Sequence, residues 1–299
     1  MIPLGSAYHE NFIRGSLDFP FDYHYINPAH PRFVMPFHYH VDYEILRVVK
    51  GGLSINLNER HYHLEDGDYL FIGEGVVHGG EPDNAETVYE CVVFNLTQMF
   101  DTSRPDFSWL QQLATHQMSI EELYTIKDHP EITACMDEFF SSVKNKEHNC
   151  VLTYGRLLSL IGKILEGNHY TLYTNTMSSR YLKHLNKSSQ LFRYIYDNFA
   201  NDITLEDMAG AVNLNPKYFC RFFKELTSYR PMDYLNRFRI DCAAIRLTTY
   251  TETVNQIAYA CGFKDPCYFT KLFKRYKHVS PREYRNIHSG HMRSVHSGV

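Results

Sequence analysis

Ile203-Thr204-Leu205-Glu206-Asp207-Met208-Ala209, followed after a short break by Asn215-Pro216-Lys217-Tyr218-Phe219-Cys220-Arg221-Phe222-Phe223-Lys224, recurs in outline further along the chain. The second copy reads Thr253-Val254-Asn255-Gln256-Ile257-Ala258, then Lys264-Asp265-Pro266-Cys267-Tyr268-Phe269-Thr270-Lys271-Leu272-Phe273-Lys274. Each copy has a short helix with an alanine near its end, a turn, and a second helix reading Tyr-Phe-x-x-x-Phe-Lys. The small alanine lets paired helices approach closely, as a tight helix-turn-helix crossing requires. Phe219 and Phe223 share one face at i, i+4, as do Phe269 and Phe273, so these rings are predicted to face a core. Thr204 and Asp265 are predicted N-caps, because their side-chain oxygens can accept from free backbone N–H groups.

Burying those rings turns the opposite face of each second helix outward. In the first unit that face holds Lys217, Cys220, Arg221 and Lys224; in the second it holds Pro266, Cys267, Thr270, Lys271 and Lys274. A recognition helix offers donors to base edges and cations to phosphates, so these nine residues are the candidate DNA-binding set. A solvated basic face would look the same in one helix, but the duplicated layout argues against that reading. Between the units, Pro231 to Leu247 reads as one helix with proline in its first turn. Tyr234, Leu235, Phe238, Ala243 and Leu247 are predicted to bury, leaving Arg237, Arg239 and Arg246 for phosphates or for solvent.

Residues 190–285 resemble the arabinose-regulator (AraC/XylS) family. The matching residues are Leu205-x-x-Met208-Ala209, Tyr218-Phe219-x-x-x-Phe223-Lys224, Pro231-x-x-Tyr234-Leu235-x-x-x-Arg239 and Ile257-Ala258-x-x-x-Gly262-Phe263, then Tyr268-Phe269-x-x-x-Phe273-Lys274 and Pro281-x-x-Tyr284-Arg285. The resemblance implies a cytoplasmic, sequence-specific binder of double-stranded DNA that dimerises and activates transcription through RNA polymerase. Ser228 and His278 stand where the family usually has glycine, which predicts strained turns at positive φ.

Charge follows the same division. Residues 1–185 hold 13 Lys+Arg against 24 Asp+Glu, whereas residues 186–299 hold 17 against 10. An acidic half joined to a basic half suits a regulatory part and a polyanion-binding part. No run approaches the roughly 18 apolar residues of a membrane span, and the first residues lack an export signal, so neither membrane insertion nor secretion is expected. The seven cysteines show no Cys-x-x-Cys spacing and are expected as free thiols.

From about Phe33 to Asn95, short runs rich in β-branched and aromatic residues alternate with glycine-containing turns, which predicts a small antiparallel barrel or jelly roll. Ile132 to Lys146 and Leu152 to Leu165 then show helical spacing. The stripe Leu157, Leu158, Ile161 and Leu165 suits packing on the barrel or pairing of two chains, and both readings stay open. The expected organisation is a two-domain α+β chain. An N-terminal β-barrel with accessory helices occupies 1–166, with a polar linker at 167–187. An all-α domain with two helix-turn-helix units follows at 188–287, and a disordered tail at 288–299.

Within the strand region lie His38-x-His40-x3-Glu44-x6-Gly51 and Gly67-x5-Gly73-x-Gly75-x2-His78. These resemble the two cupin motifs, with glycine at 73 where proline is usual. The resemblance implies that His38, His40, Glu44 and His78 converge in the barrel and hold a divalent transition metal, a donor set that suits Mn, Fe, Ni or Zn. Two other readings remain open. The four residues, with Tyr39 and Tyr43, line a metal-free effector pocket in which imidazoles bond sugar hydroxyls and rings stack on a sugar, or they serve packing alone. No cofactor is fixed by sequence. The chain is expected to be an effector-responsive regulator and not an enzyme; a metal sensor and a metal-dependent cupin enzyme are the alternatives.

Overall fold

Short strands with buried residues on both faces build two antiparallel sheets whose facing sides share a core. The computed structural model describes residues 15–16, 18–30, 32–101, 104–145 and 150–288, and the chain divides into two compact units, one ending at Ser189 and the other starting at Gln190. In the first unit the strands are β1 (Phe21–Ile26), β2 (Met35–His38), β3 (Tyr43–Lys50), β4 (Leu53–Leu57), β5 (Arg60–Leu64), β6 (Tyr69–Ile72), β7 (His78–Pro82), β8 (Val88–Phe94), β9 (Met118–Ile120), β10 (Leu123–Tyr124) and β11 (Tyr170–Leu172). One sheet runs β1-β8-β3-β6-β10 and the other β2-β7-β4-β5, while β9 pairs with β11.

Strand period two sorts the side chains of the five-stranded sheet. Leu46, Val48, Leu70, Ile72, Tyr89 and Val93 face the second sheet and pack with Leu53, Ile55 and Leu57. Tyr43, Ile45, Tyr69, Phe71, Val92 and Phe94 face the other way, onto helices. Both faces are therefore covered, and all four residues of β6 are buried. The covering helices are α1 (Leu96–Met99), α2 (Ser108–Ala114), α3 (Pro130–Lys144) and α4 (Cys150–Glu166).

The apolar stripe of α4 is Thr153, Leu157, Leu160, Ile161 and Ile164. That corrects the sequence reading: Leu158 and Leu165 are only half-buried, because the line that meets α3 and the sheet is rotated from the one inferred by spacing. Residues 167–187, expected as a polar linker, carry β11 and the start of a helix, α5 (Asn175–Asn198). Polarity misled here because small polar groups bury with partners: Ser178 donates from Oγ to the Thr115 carbonyl at 3.1 Å.

The second unit takes the last turns of α5, then α6 (Leu205–Ala211), α7 (Pro216–Thr227), α8 (Pro231–Thr249), α9 (Val254–Ala260), α10 (Pro266–Lys277) and α11 (Pro281–His288). The two copies match in detail. Thr204 and Thr253 each make a reciprocal capping box, with Asp207 and Gln256 respectively. Asn215 and Asp265 cap the two longer helices from their side chains. The pairs Phe219–Phe223 and Phe269–Phe273 have the same geometry, centroids 5.6 Å apart at 58°. Tyr234, Leu235, Phe238, Ala243 and Leu247 of α8 are buried as predicted. Phe192 of α5 stacks on Phe223 and meets Tyr234 edge-on. No helix among the described residues is long and apolar enough to cross a membrane. Apart from His288, the expectation for 288–299 lies outside the described residues.

Ser228 and His278 both end their helices in the left-handed region, at φ 62°. An L-residue is crowded there where glycine is not. Ser228→Gly and His278→Gly should each stabilise the second unit by roughly 0.5–1 kcal/mol, net of the extra freedom glycine gives the unfolded chain. An unchanged or lowered melting temperature in both variants would show that these turns carry no strain.

Candidate nucleic-acid interface and sensory cluster

Burial of Phe219 and Phe223 leaves Lys217, Arg221 and Lys224 exposed on α7 and Cys220 half-buried. On α10, Cys267, Thr270, Lys271 and Lys274 are exposed and Pro266 is half-buried. All nine residues of the candidate set therefore lie on the accessible faces of the two matched helices. Arg221 holds Glu225 at 2.8 Å, an exposed pair that water or phosphate can replace at little cost. The Thr270 hydroxyl turns back to the Pro266 carbonyl at 2.9 Å. Sequence reasoning missed Tyr218 and Tyr268, which are 63% and 47% exposed beside these cations; the i, i+4 core spacing places both off the buried line. It also missed Arg275, exposed in the last turn of α10.

The central arginines need correction. Arg239 is buried, donating from Nε to Phe199 O at 2.7 Å and from a terminal nitrogen to Asn201 O at 2.7 Å. Arg246 forms a two-pronged pair with Glu252 at 2.8–3.0 Å, and Arg237 bonds the Tyr229 hydroxyl. These guanidiniums satisfy two carbonyls, a carboxylate and a hydroxyl within the unit, a demand invisible in residue spacing. Gly262, at φ +82°, lets the chain pass beneath Arg239: a Cβ there would sit 2.6 Å from Phe199 O and 2.9 Å from Arg239 Nε.

In the first unit, His38 ends β2, His40 follows it, Glu44 lies on β3 and His78 begins β7. The ladder sets His38 opposite His78, and Gly75 N–H donates to the His40 carbonyl at 2.9 Å. His40, Glu44 and His78 are buried and His38 is half-buried. Each imidazole directs Nδ1 at a backbone carbonyl: His38 at Pro36 O (2.8 Å), His40 at Asp42 O (3.0 Å) and His78 at Val76 O (2.9 Å). A carbonyl can only accept, so each Nδ1 carries the proton and, in neutral imidazole, each Nε2 keeps its lone pair.

Glu44 Oε2 lies 3.0 Å from His40 Nε2 and 3.2 Å from His78 Nε2. Acceptors facing acceptors at that range require positive charge between or upon them. Burial opposes ionisation of Glu44, but hydrogen bonds and charge from His40 and His78 outweigh it and hold the carboxyl well below its usual range. The four donor atoms lie within 4.8 Å of one another. Ligands at about 2.0–2.1 Å from a tetrahedral ion sit roughly 3.3 Å apart, so the residues fit a divalent transition ion. Such an ion would supply a positive centre able to hold a ligand oxygen.

Of the other expected effector residues, Tyr39 is buried. Tyr43 is not brought to the cluster: it faces the helices, packed on Phe71 and Phe94, because strand alternation turns it away from Glu44. It lines an open cleft with Phe71, Glu74, Arg60, Glu122 and Tyr181. Burial raises the Glu74 carboxyl, with Asp42 adding to it. Burial likewise raises the Tyr181 hydroxyl, to about 12. No motif marked this pocket, since its walls come from separate stretches of chain.

Residues 23–161 match the family described as the AraC-like ligand binding domain, and residues 208–287 match a helix-turn-helix domain. The chain is 24% identical over 259 residues to an uncharacterized HTH-type transcriptional regulator, YdeC, of Bacillus subtilis, covering 85% of this chain and 87% of that one. It is 28% identical over 281 residues to the HTH-type transcriptional activator RhaS of Escherichia fergusonii, covering 87% and 91%. The raffinose operon transcriptional regulatory protein RafR of Pediococcus pentosaceus is 34% identical over 103 residues, 33% of this chain and 37% of that protein.

Proposed function

The chain belongs to the AraC family of DNA-binding transcription regulators, and from that premise we propose that it is an effector-responsive activator of a metabolic operon, one for carbohydrate use. The observation that carries the DNA-binding reading is the matched pair of capped helices with exposed cations. Two such faces on one unit suit adjacent major-groove segments about one helical turn, or ~34 Å, apart. The sugar assignment draws support from the relative named for the raffinose operon. The protein works as a cytoplasmic homodimer that pairs through α3 and α4 and contacts RNA polymerase, as the activator name of another relative suggests.

Binding of the purified protein to its own upstream DNA, across salt concentrations and with a panel of sugars, tests this reading. Each phosphate contact steepens the fall of log K with log salt by about 0.9. Specific binding that weakens steeply with salt and shifts with one sugar is expected; binding no tighter than to unrelated DNA in every condition would overturn it. The organic effector is assigned to the open pocket, where the Phe71 and Tyr181 rings and the Glu74 and Glu122 carboxyls suit a ring bearing hydroxyls. Tyr181→Ala should raise the effector concentration needed for half-response by at least about tenfold, roughly the cost of one lost ring contact. DNA affinity without effector should stay unchanged; a normal response in this variant would place the effector elsewhere.

The gathering of donor atoms from His38, His40, Glu44 and His78 within 4.8 Å of one another favours a second reading, in which a divalent metal is itself the signal. Operator affinity that changes with metal, and ceases to do so in His38→Ala/His78→Ala, distinguishes it from the first.

A further inference from the structure

We propose that Glu121, His129 and His169 form a second divalent-metal site on the first unit, one that takes a zinc-like transition ion. The three residues come from separate stretches: Glu121 from the turn between β9 and β10, His129 from the residue before α3, and His169 from the connection between α4 and β11. Their donor atoms all lie within 4.8 Å of one another. The barrel cluster does not contribute, since it shares no residue with this set.

Backbone bonds hold the three positions before any ion arrives. Glu121 N–H donates to the His169 carbonyl at 2.9 Å, next to the paired residues Ile120 and Tyr170. His129 N–H donates to the Thr125 carbonyl at 2.9 Å, and the His129 carbonyl accepts from Thr133 N–H at 3.0 Å. His169 Nδ1 lies 2.8 Å from Glu121 Oε2, and His129 Nε2 lies 4.0 Å from the same oxygen. Those separations straddle the roughly 3.3 Å between ligands of a tetrahedral ion, so small side-chain rotations complete the set. The imidazoles stand edge to face, centroids 4.9 Å apart, and the buried Tyr124 ring packs edge-on against His129 at 5.2 Å.

A second observation points to a ligand. His129 Nδ1 is buried and has no hydrogen-bond partner among the described residues, nor has the buried Tyr124 hydroxyl. Polar atoms kept from water without partners are costly; an ion taken by His129 through Nδ1 relieves that cost, whereas one taken through Nε2 fixes the proton on Nδ1. Two imidazoles and one carboxylate select a borderline metal over magnesium or calcium and leave a coordination position open. Glu121 is exposed and the two histidines are half-buried, so the site is reachable from solvent.

The test uses the full chain and Zn²⁺ alone, titrated calorimetrically with Co²⁺ absorption as a second readout. His129→Asn and His169→Asn are made in the wild type and in a His38→Asn/His78→Asn background. The background protein is expected to take one equivalent of Zn²⁺, and either further substitution should weaken that binding at least about tenfold. In the wild type the same substitutions should remove one equivalent from the total, a readout that stands even if the background variant fails to fold. A stoichiometry unchanged by His129→Asn and His169→Asn in the wild type would overturn the proposal. So would a folded background protein that takes up no Zn²⁺.

Discussion

Replacing Arg221 and Lys271 together by alanine should weaken operator binding at least about a hundredfold, about tenfold for each helix face, and flatten the salt dependence by close to two contacts. Both side chains are exposed, so the melting temperature should not move, which separates lost contacts from lost fold. Arg221 gives up only a solvent-exposed pairing with Glu225 when it meets a phosphate. The single variants add information: comparable losses from each would show that both units touch DNA. Retention of wild-type affinity by the double variant, measured at low and high salt, would remove α7 and α10 as the recognition helices.

Gly262→Ala should abolish binding by another route. The added methyl meets Phe199 O at 2.6 Å and Arg239 Nε at 2.9 Å, in backbone at φ +82°. Left-handed strain and overpacking each cost about 1–3 kcal/mol, and displacing Arg239 leaves the carbonyls of Phe199 and Asn201 without their charged donor. A combined loss of about 3–5 kcal/mol is a large fraction of the stability of one domain. The single tryptophan, Trp109, lies in the first unit. Its fluorescence transition in urea should therefore stay in place while the helical circular dichroism transition moves to lower denaturant. Coincident wild-type transitions in both signals would refute the role given to Gly262.

Much of the second unit was legible because its signals are local. Caps act within three residues and the ring pairs within four, so Thr204, Asp265, Phe219 and Phe273 announced themselves. The positive φ at Ser228 and His278 followed from where each helix had to stop. Arg239 was opaque for the opposite reason: its acceptors lie about forty residues back along the chain, and nothing in a helix face tells a phosphate ligand from a clamp on a distant carbonyl. Arg246 turns to Glu252 in the loop after its own helix, beyond the reach of helical spacing. In the first unit it was the resemblance to the cupin motifs that implied the four converging side chains. Tyr43 stands apart from those four because adjacent residues on a strand point to opposite faces, one toward the second sheet and one toward the helices, and it lines the open cleft instead. Glu121, His129 and His169 had no motif to betray them, as only the folded chain brings their three stretches together.

The four-stranded sheet ends at β5, whose residues Arg60, His61 and His63 are exposed. An outer strand offers unpaired N–H and C=O groups on which a second chain could template itself. Arg60 places a permanent charge on that border and is itself drawn to Glu122 at 3.0 Å, while the imidazoles keep it polar. A second copy that extended the sheet there would have to strip water from these polar side chains, a cost that disfavours a continuing ladder from chain to chain.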